Sequence, residues 1–493
     1  HKYDPFSQRE FYQLFAFFDR DAEADIPAPL PGEEEAIKPK KAAFDQEHAR
    51  LLAAVGAYQK DQLPAAQQKW ESSLKLPALQ KLPANIAAIL LTEPGKRTDK
   101  QTRELTDYYT KIDKKLAALN KAVAEHQKTV PRVTLAQTLA LGPHRKTHVM
   151  IRGDFLRPGV EVEPGTPAAL SPRQTIKNRL DLAKWLVDPE NPLTARVTVN
   201  WIWQRYFGRG IVNTLEDFGM QGEKPLHPEL LDWLATEFMR QKWSLKTLHK
   251  LIVTSATYRQ SSSIRPELIS RDPLNVLLAR QNRLRLEAEI VRDSALAASR
   301  LLTRKVGGPS VHPPQPAGIS ELTYGGGARW VESPGPDRYR RGMYTWFQRT
   351  SPYPMLMTFD EPDSNVSCVR RERSNTPLQA LTLLNDTAFV ECAQALGTRI
   401  ITEVPARSAS EGIVHDRICH AFRLCFTREP TSAEVATLTR LFDELLQSAK
   451  AKPEAAAKIV GKAKPGRADL PEAAAWIALA RTIMNLDEFV TRE

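Results

Sequence analysis

Residues 421–449 read AFRLCFTREPTSAEVATLTRLFDELLQSA, and this stretch decides the fold class. Thr431 and Glu434 stand three apart, so the threonine hydroxyl caps the first helical turn while the glutamate reaches back to the cap, a capping box. A strongly amphipathic run follows, with its apolar residues gathered on one face. The same grammar recurs through the second half of the chain. Thr376-Pro377 places a cap before a proline at the first helical position. His227-Pro228 opens HPELLDWLATEFMRQKWSLKTLHKLIVTSATYRQS, which reads as two helices. Asp188-Pro189 and Asn191-Pro192 punctuate helices in DLAKWLVDPENPLTARVTVNWIWQRYFG. The expected class is mainly α, a multi-helix domain over 173–493.

Toward the N-terminus the composition changes. The first 18 residues, HKYDPFSQREFYQLFAFF, already carry a helical apolar rhythm. DRDAEADIPAPLPGEEEAIKPKK, rich in proline and charge, reads as an exposed linker. From Phe44 to about Leu76, and from Thr98 to Lys128, the chain is rich in Ala, Lys, Gln, Glu and Leu, with Leu105, Ile112, Leu116, Leu119 and Val123 at helical spacing. Joined by LPALQKLPANIAAILLTEPGK, these runs form an antiparallel hairpin, an expected oligomer contact with an otherwise solvated, Lys-rich face. Arg132 to Phe155 holds two β-prone runs around Gly142-Pro143, with Gly153 where a strand ends. The organisation expected is therefore 1–20 as the tail of an upstream domain, 21–130 as linker plus hairpin, 131–172 as a small β segment with a Pro-rich connector, then the helical domain. Within that domain, 306–360 is crowded with Gly, Pro and aromatics and is expected to be an ordered loop region with short strands.

At 493 residues the chain is long enough for two or three hydrophobic cores. Hydrophobic residues make up 42% and charged residues 26%, the balance of a soluble globular protein. No stretch approaches the roughly 18 apolar residues of a membrane span. A formal charge of +11 favours an acidic partner. Four cysteines without a C-x-x-C exclude a zinc ribbon or a haem attachment site within the chain, and fit either two disulfides or reduced thiols.

The densest polar cluster is TFDEPDSNVSCVRRERSNTPLQALTLLND, which sets Asp360, Glu361 and Asp363 near Arg370, Arg371 and Arg373, with Asn375 at the next helix start. With Arg349 just upstream, these residues are the candidate site: an arginine fork gripping a carboxylate, sulfate or sugar, and an aspartate as base or orienter. Trp346 would supply a stacking face. The simpler reading is an internal ion-pair network pinning the loop to the helical core. Arg338, Arg340 and Arg341 beside Tyr339 and Tyr344 fit an acidic polymer or, as favoured here, pairing with the Asp360–Asp363 carboxylates. No nucleic-acid module accompanies them. His144 and His148 lack a third metal ligand nearby, so no metal site is expected. Gly325-Gly326-Gly327 lacks the strand, helix and lysine of a phosphate loop, and no catalytic motif occurs.

Several long phrases carry a resemblance. NRLDLAKWLVDPENPLTARVTVNWIWQRYFGRGIVNTLEDFGMQGEKPLHPELLDWLATEF, LHKLIVTSATYRQSS, GGPSVHPPQPAG, RRGMYTWFQRT, RRERSNTPLQALTLLND and ARTIMNLDEFVTRE, in this order, are similar to the planctomycete-specific cytochrome-associated proteins, whose C-terminal domain has no assigned activity. The likeness runs from about Asn178 to Glu493 and includes THVMIRGDFLRPGVEVEPG and the first 18 residues. It implies that HKYDP follows a C-x-x-C-H-D motif, in which two thiols bond a c-type haem and the histidine ligates its iron. His1 would then lie in the haem neighbourhood. The expected location is extracytoplasmic. The expected function is a scaffold and recognition part serving electron transfer through that haem module, with an acidic redox partner. The alternatives are a module that binds or degrades an anionic polysaccharide, and a structural subunit of a cell-envelope assembly.

Overall fold

The computed structural model describes residues 3–143, 145–170, 176–316, 318–319, 330–405, 412–463, 466 and 468–492. The chain is mainly α, with three two-stranded sheets among these residues. It divides into two compact units, residues 11–165 with 177–179, and residues 1–10, 166–176 and 180–493.

The smaller unit contains the expected hairpin. One arm is the helical run from Glu33 to Ser73, and the other is the pair of helices Asp99–Ile112 and Lys114–Lys128. Leu105 and Leu116 are fully buried between the arms, whereas Ile112 falls on the exposed side. Pro64 has no N–H and its ring crowds the preceding turn, and the first arm widens into a π-turn at Tyr58–Gln62 just before it. That turn carries the Tyr58 hydroxyl to the buried Asp113 carboxylate at 3.1 Å. Asp113 also accepts from Tyr109 Oη and from the amide of Leu116, capping the last helix. Burial raises the Asp113 pKa, but these hydrogen bonds outweigh it and hold the carboxyl below its usual range. The Pro-interrupted connection is itself partly helical: Ala84–Leu91 buries Ile86 and Ile89 against Leu105.

The segment read as a linker is not one. Asp21–Pro27 is a strand paired antiparallel with Leu135–Leu141, in register from Asp21 opposite Leu141 to Pro27 opposite Leu135. The pairing closes the base of the helical excursion. Helix then begins at Glu33, eleven residues before the expected start at Phe44, despite Pro39. Three glutamates in the first turn favour the positive end of the helix dipole, and Glu33 accepts from the amides of Leu30 and Thr134. A second hairpin pairs Thr147–Met150 with Pro158–Val162, the latter within the expected Pro-rich connector.

In the larger unit two cores stand out. Helices Thr194–Phe207, Pro228–Arg240 and Leu245–Val253 enclose Val199, Trp203, Phe207, Leu231, Leu234, Phe238, Leu248 and Ile252. The larger core is built around the helix Leu470–Ile483, whose Trp476 is fully buried, packed by Thr387–Glu403, Ser432–Ala451 and Pro453–Val460. The Thr431–Glu434 capping box forms as expected. Thr376 occupies its cap position before Pro377 without a side-chain capping bond. The 306–360 region, as far as described, is ordered by short 3-10 turns and two isolated bridges, Thr303 with Arg340 and Val311 with Thr345. No helix among the described residues is long and apolar enough to cross a membrane. All four cysteines are unbridged, and burial pushes the Cys392 thiol up to about 12.

Candidate functional site

A seam of charges lies at the start of the helix Ala288–Ala298, in the larger unit. Glu287 occupies the cap position and Glu289 the first turn, where the helix dipole favours carboxylates. Glu287 meets Arg205 and Arg373, each at 3.2 Å, and Arg371 at 3.5 Å; Arg371 reaches Glu289 at 2.6 Å. Across the seam the short helix Pro354–Thr358 ends in a Schellman turn. The Glu361 amide bonds to Leu356 O and the Asp360 amide to Met357 O, with Asp360 left-handed at φ 64°. This turn directs the two neighbouring carboxylates to different tasks.

Asp360 accepts from the amide of Ser374 at 2.7 Å and from its hydroxyl, and fully buried Gln379 links Ser374 Oγ, Thr358 O and Arg285. Asp360 thereby ties one helix end to the next helix start. Glu361 has its Oε2 buried without a hydrogen-bond partner among the described residues. Burial, and then the charge of Glu289, push its pKa up to about 7, against the pull of Arg371. Burial also raises the Glu289 pKa, yet the hydrogen bond from Arg371, a main-chain hydrogen bond and the charges of Arg371 and Arg205 together outweigh it and hold that carboxyl below its usual range. Burial thus favours the protonated form of Glu361 up to about pH 7, whereas Arg371 favours the ionised form of Glu289.

This makes stability depend on pH in a defined direction. Because the folded pKa of Glu361 is raised, its contribution is fully present below about pH 4.5 and is lost as pH rises through about 7. Allowing for the solvent that still reaches the group, the loss is about 1–2 kcal/mol. Glu361→Gln is expected to remove it, so the urea midpoints of variant and parent should diverge between pH 5 and pH 8 in the variant's favour. Parallel pH profiles would refute the assignment.

The other sequence candidates are dispersed. Arg349, Asp363, Arg370 and Asn375 are exposed, and Asp363 bonds Asn365. Trp346 packs with His312, ring centres 5.1 Å apart, and with Trp330 at 6.2 Å. Arg338 and Arg341 do pair with carboxylates, but with Glu332, Glu391 and Asp293 instead of the Asp360–Asp363 group. Arg340 is spent on backbone carbonyls. His148 hydrogen-bonds Lys146 O, and no metal-binding group of three occurs among the described residues. His1, His144 and Gly325-Gly326-Gly327 lie outside the described residues. Sequence reasoning missed Glu287 and Glu289, whose only signal is E-x-E opening a helix in LEAEIVRD.

The unit also contains a groove of about 640 Å³ lined by Pro5, Phe6, Leu193, Trp201, Phe218 and Met220. The first described residues are fastened there: Asp4 accepts from the Met220 amide at 2.9 Å and lies against Gly219, where a Cβ would strike its carboxylate. Six residues on, Glu10 accepts from the Ala168 amide at 2.7 Å.

A family model described as PSD1, protein of unknown function (DUF1553), matches residues 178–442, more than half of the chain. The chain belongs to the PSD1 family. No curated protein and no solved structure matches it. The PSD1 match takes in the core around Trp203 and every residue of the Glu287–Glu289–Glu361 seam, while Asp4–Phe6 precede it and the helix Leu470–Ile483 follows it.

Proposed function

We propose that this PSD1 chain is the scaffold and recognition part of an extracytoplasmic c-type cytochrome-like protein, serving electron transfer through a haem module that precedes His1. The phrases quoted above motivate the haem and the location. The observation that carries the reading is the anchoring of Asp4–Phe6 on Gly219-Met220, which ties the residues next to the expected haem attachment motif to the PSD1 body. A haem attached there would be held beside the groove instead of swinging on a free tether. Two upstream cysteines would bond the haem and the adjacent histidine would ligate its iron. The chain's formal charge of +11 would steer an acidic redox partner. Asp360, Arg371 and Arg373 are committed to partners within the unit, so this reading is preferred to a polysaccharide site. The natural full-length protein is expected to show a Soret band and a c-type pyridine haemochrome. A full-length protein without a Soret band overturns the proposal.

A further inference from the structure

The hairpin of Thr147–Met150 and Pro158–Val162 in the smaller unit ends in a tip whose apolar side chains are exposed. Phe155 is 78% exposed and Leu156 74%, and Ile151 and Val160 beside them are exposed as well. Exposed apolar residues scattered singly are ordinary, but three in one turn with a fourth on the strand that leaves it are not scattered.

The turn is held in shape. Ile151 N bonds to Arg157 O at 3.0 Å, Asp154 N to Ile151 O at 3.1 Å and Arg157 N to Asp154 O at 3.0 Å. Arg152 and Gly153 are both left-handed, at φ 57° and 77°, a conformation an L-residue adopts at a cost. The Asp154 carboxylate accepts from the Leu156 amide and closes the loop, which accounts for the Arg152-Gly153-Asp154 sequence without any receptor. Gly159 is required because a Cβ there would come within 2.8 Å of Val149 O. At the base, Thr147 Oγ1 donates to Asp19 at 2.6 Å and Lys146 pairs with Glu161. A strained, braced turn whose product is two outward apolar side chains is built to present them.

Charge indicates what receives them. Arg152 and Arg157 flank Phe155-Leu156 and neither forms an ion pair among the described residues. Asp154, the acid between them, is occupied by the turn. Two strongly exposed apolar side chains set between arginines without ion pairs suit a soft apolar phase beneath a negatively charged surface. The geometry points to the 151–157 tip as a membrane-surface contact, Phe155 and Leu156 entering the acyl boundary of an anionic lipid leaflet while Arg152 and Arg157 meet its phosphates. This holds whether or not a haem module precedes His1.

The test uses the full chain, sedimented with sucrose-loaded vesicles of phosphatidylcholine alone or with added phosphatidylglycerol. The parent is expected to partition onto the anionic vesicles about tenfold or more above the neutral ones. Phe155→Ser/Leu156→Ser should lose about tenfold of that binding. Arg152→Gln/Arg157→Gln should erase the preference for phosphatidylglycerol. Both pairs are exposed, so melting temperatures should match the parent. A parent that ignores both vesicles, or a serine variant that binds anionic vesicles as well as the parent, overturns the inference. So does a photocrosslinker at position 155 that joins a polypeptide while vesicles go unbound, since the tip would then face a protein.

Discussion

Arg340→Met is expected to destabilise the larger unit by about 3–5 kcal/mol, seen as a lowered urea midpoint in circular dichroism. Arg340 is fully buried. Its Nη1 donates to Pro309 O at 3.0 Å, and its Nη2 to Lys305 O at 3.2 Å and Gly307 O at 2.6 Å. The guanidinium lies 3.7 Å from the centre of the Tyr344 ring, whose hydroxyl in turn accepts from the Gly307 amide. The loop 303–311 is therefore wrapped around one side chain. Its ends are stitched to the segment 339–346 by Thr303 N to Tyr339 O, Val311 N to Tyr344 O and Trp346 N to Val311 O. Replacing a buried charge by an apolar residue is often harmless when its partner charge leaves with it. Here the partners are main-chain carbonyls, which remain and lose their donors. Arg340→Lys is expected to rescue little, because a single ammonium neither spans three acceptors nor stacks on Tyr344. A methionine variant within 1 kcal/mol of the parent would sink the argument.

Arg340 also marks where sequence reading stops. RYRRGMYTWF, residues 338–347, announces three basic residues among aromatics, and the expectation of pairing was right for Arg338 and Arg341 in kind but not in partner. The acceptors of Arg340 are carbonyls, which every residue has, so no residue type reveals them. The seam has the same character: Arg371 and Arg373 plainly need carboxylates, but Glu287 and Glu289 come from some eighty residues upstream in a helix start that looks routine. What was legible is local. The Thr431–Glu434 box, the His227-Pro228 start and the helical rhythm around Leu105 and Leu116 depend on residues within one or two turns of each other, and all form. The strand Asp21–Pro27 was not legible, because its acidic, Ala-rich sequence lacks β-branched alternation and its partner lies across the whole helical excursion. FDEP did hold a readable signal: an Asp tolerant of the left-handed turn, followed by a proline just past the helix end, is the pattern that places Glu361.

Gly397→Val is expected to be at least as damaging as the loss of Arg340, and the contrast with a second glycine shows why. Gly397 is buried on the helix Thr387–Glu403, where it meets the helix Leu470–Ile483. A Cβ built there would stand 2.8 Å from both Cα and Cγ1 of Ile477 and 2.9 Å from its backbone nitrogen. A side-chain tip can move aside, but the backbone of a helix that is also packed by Ser432–Ala451 and Pro453–Val460 has little room to do so. The facing helix has already reduced its own bulk with Ala473, Ala474, Ala475 and Ala480, all buried. Even Gly397→Ala should then cost about 1–3 kcal/mol by overpacking, although alanine gains about 1 kcal/mol in helix propensity, and valine, branched at Cβ, should cost more. Gly56, in the helix Glu33–Ala57, has nothing within 4 Å of the same added atom. Gly56→Ala should raise stability by about 0.5–1 kcal/mol in the smaller unit. Thermal melts of the two alanine variants should move in opposite directions; a stabilised Gly397→Ala would mean that these helices approach less closely than their backbones indicate, and that propensity, not contact, sets the sign.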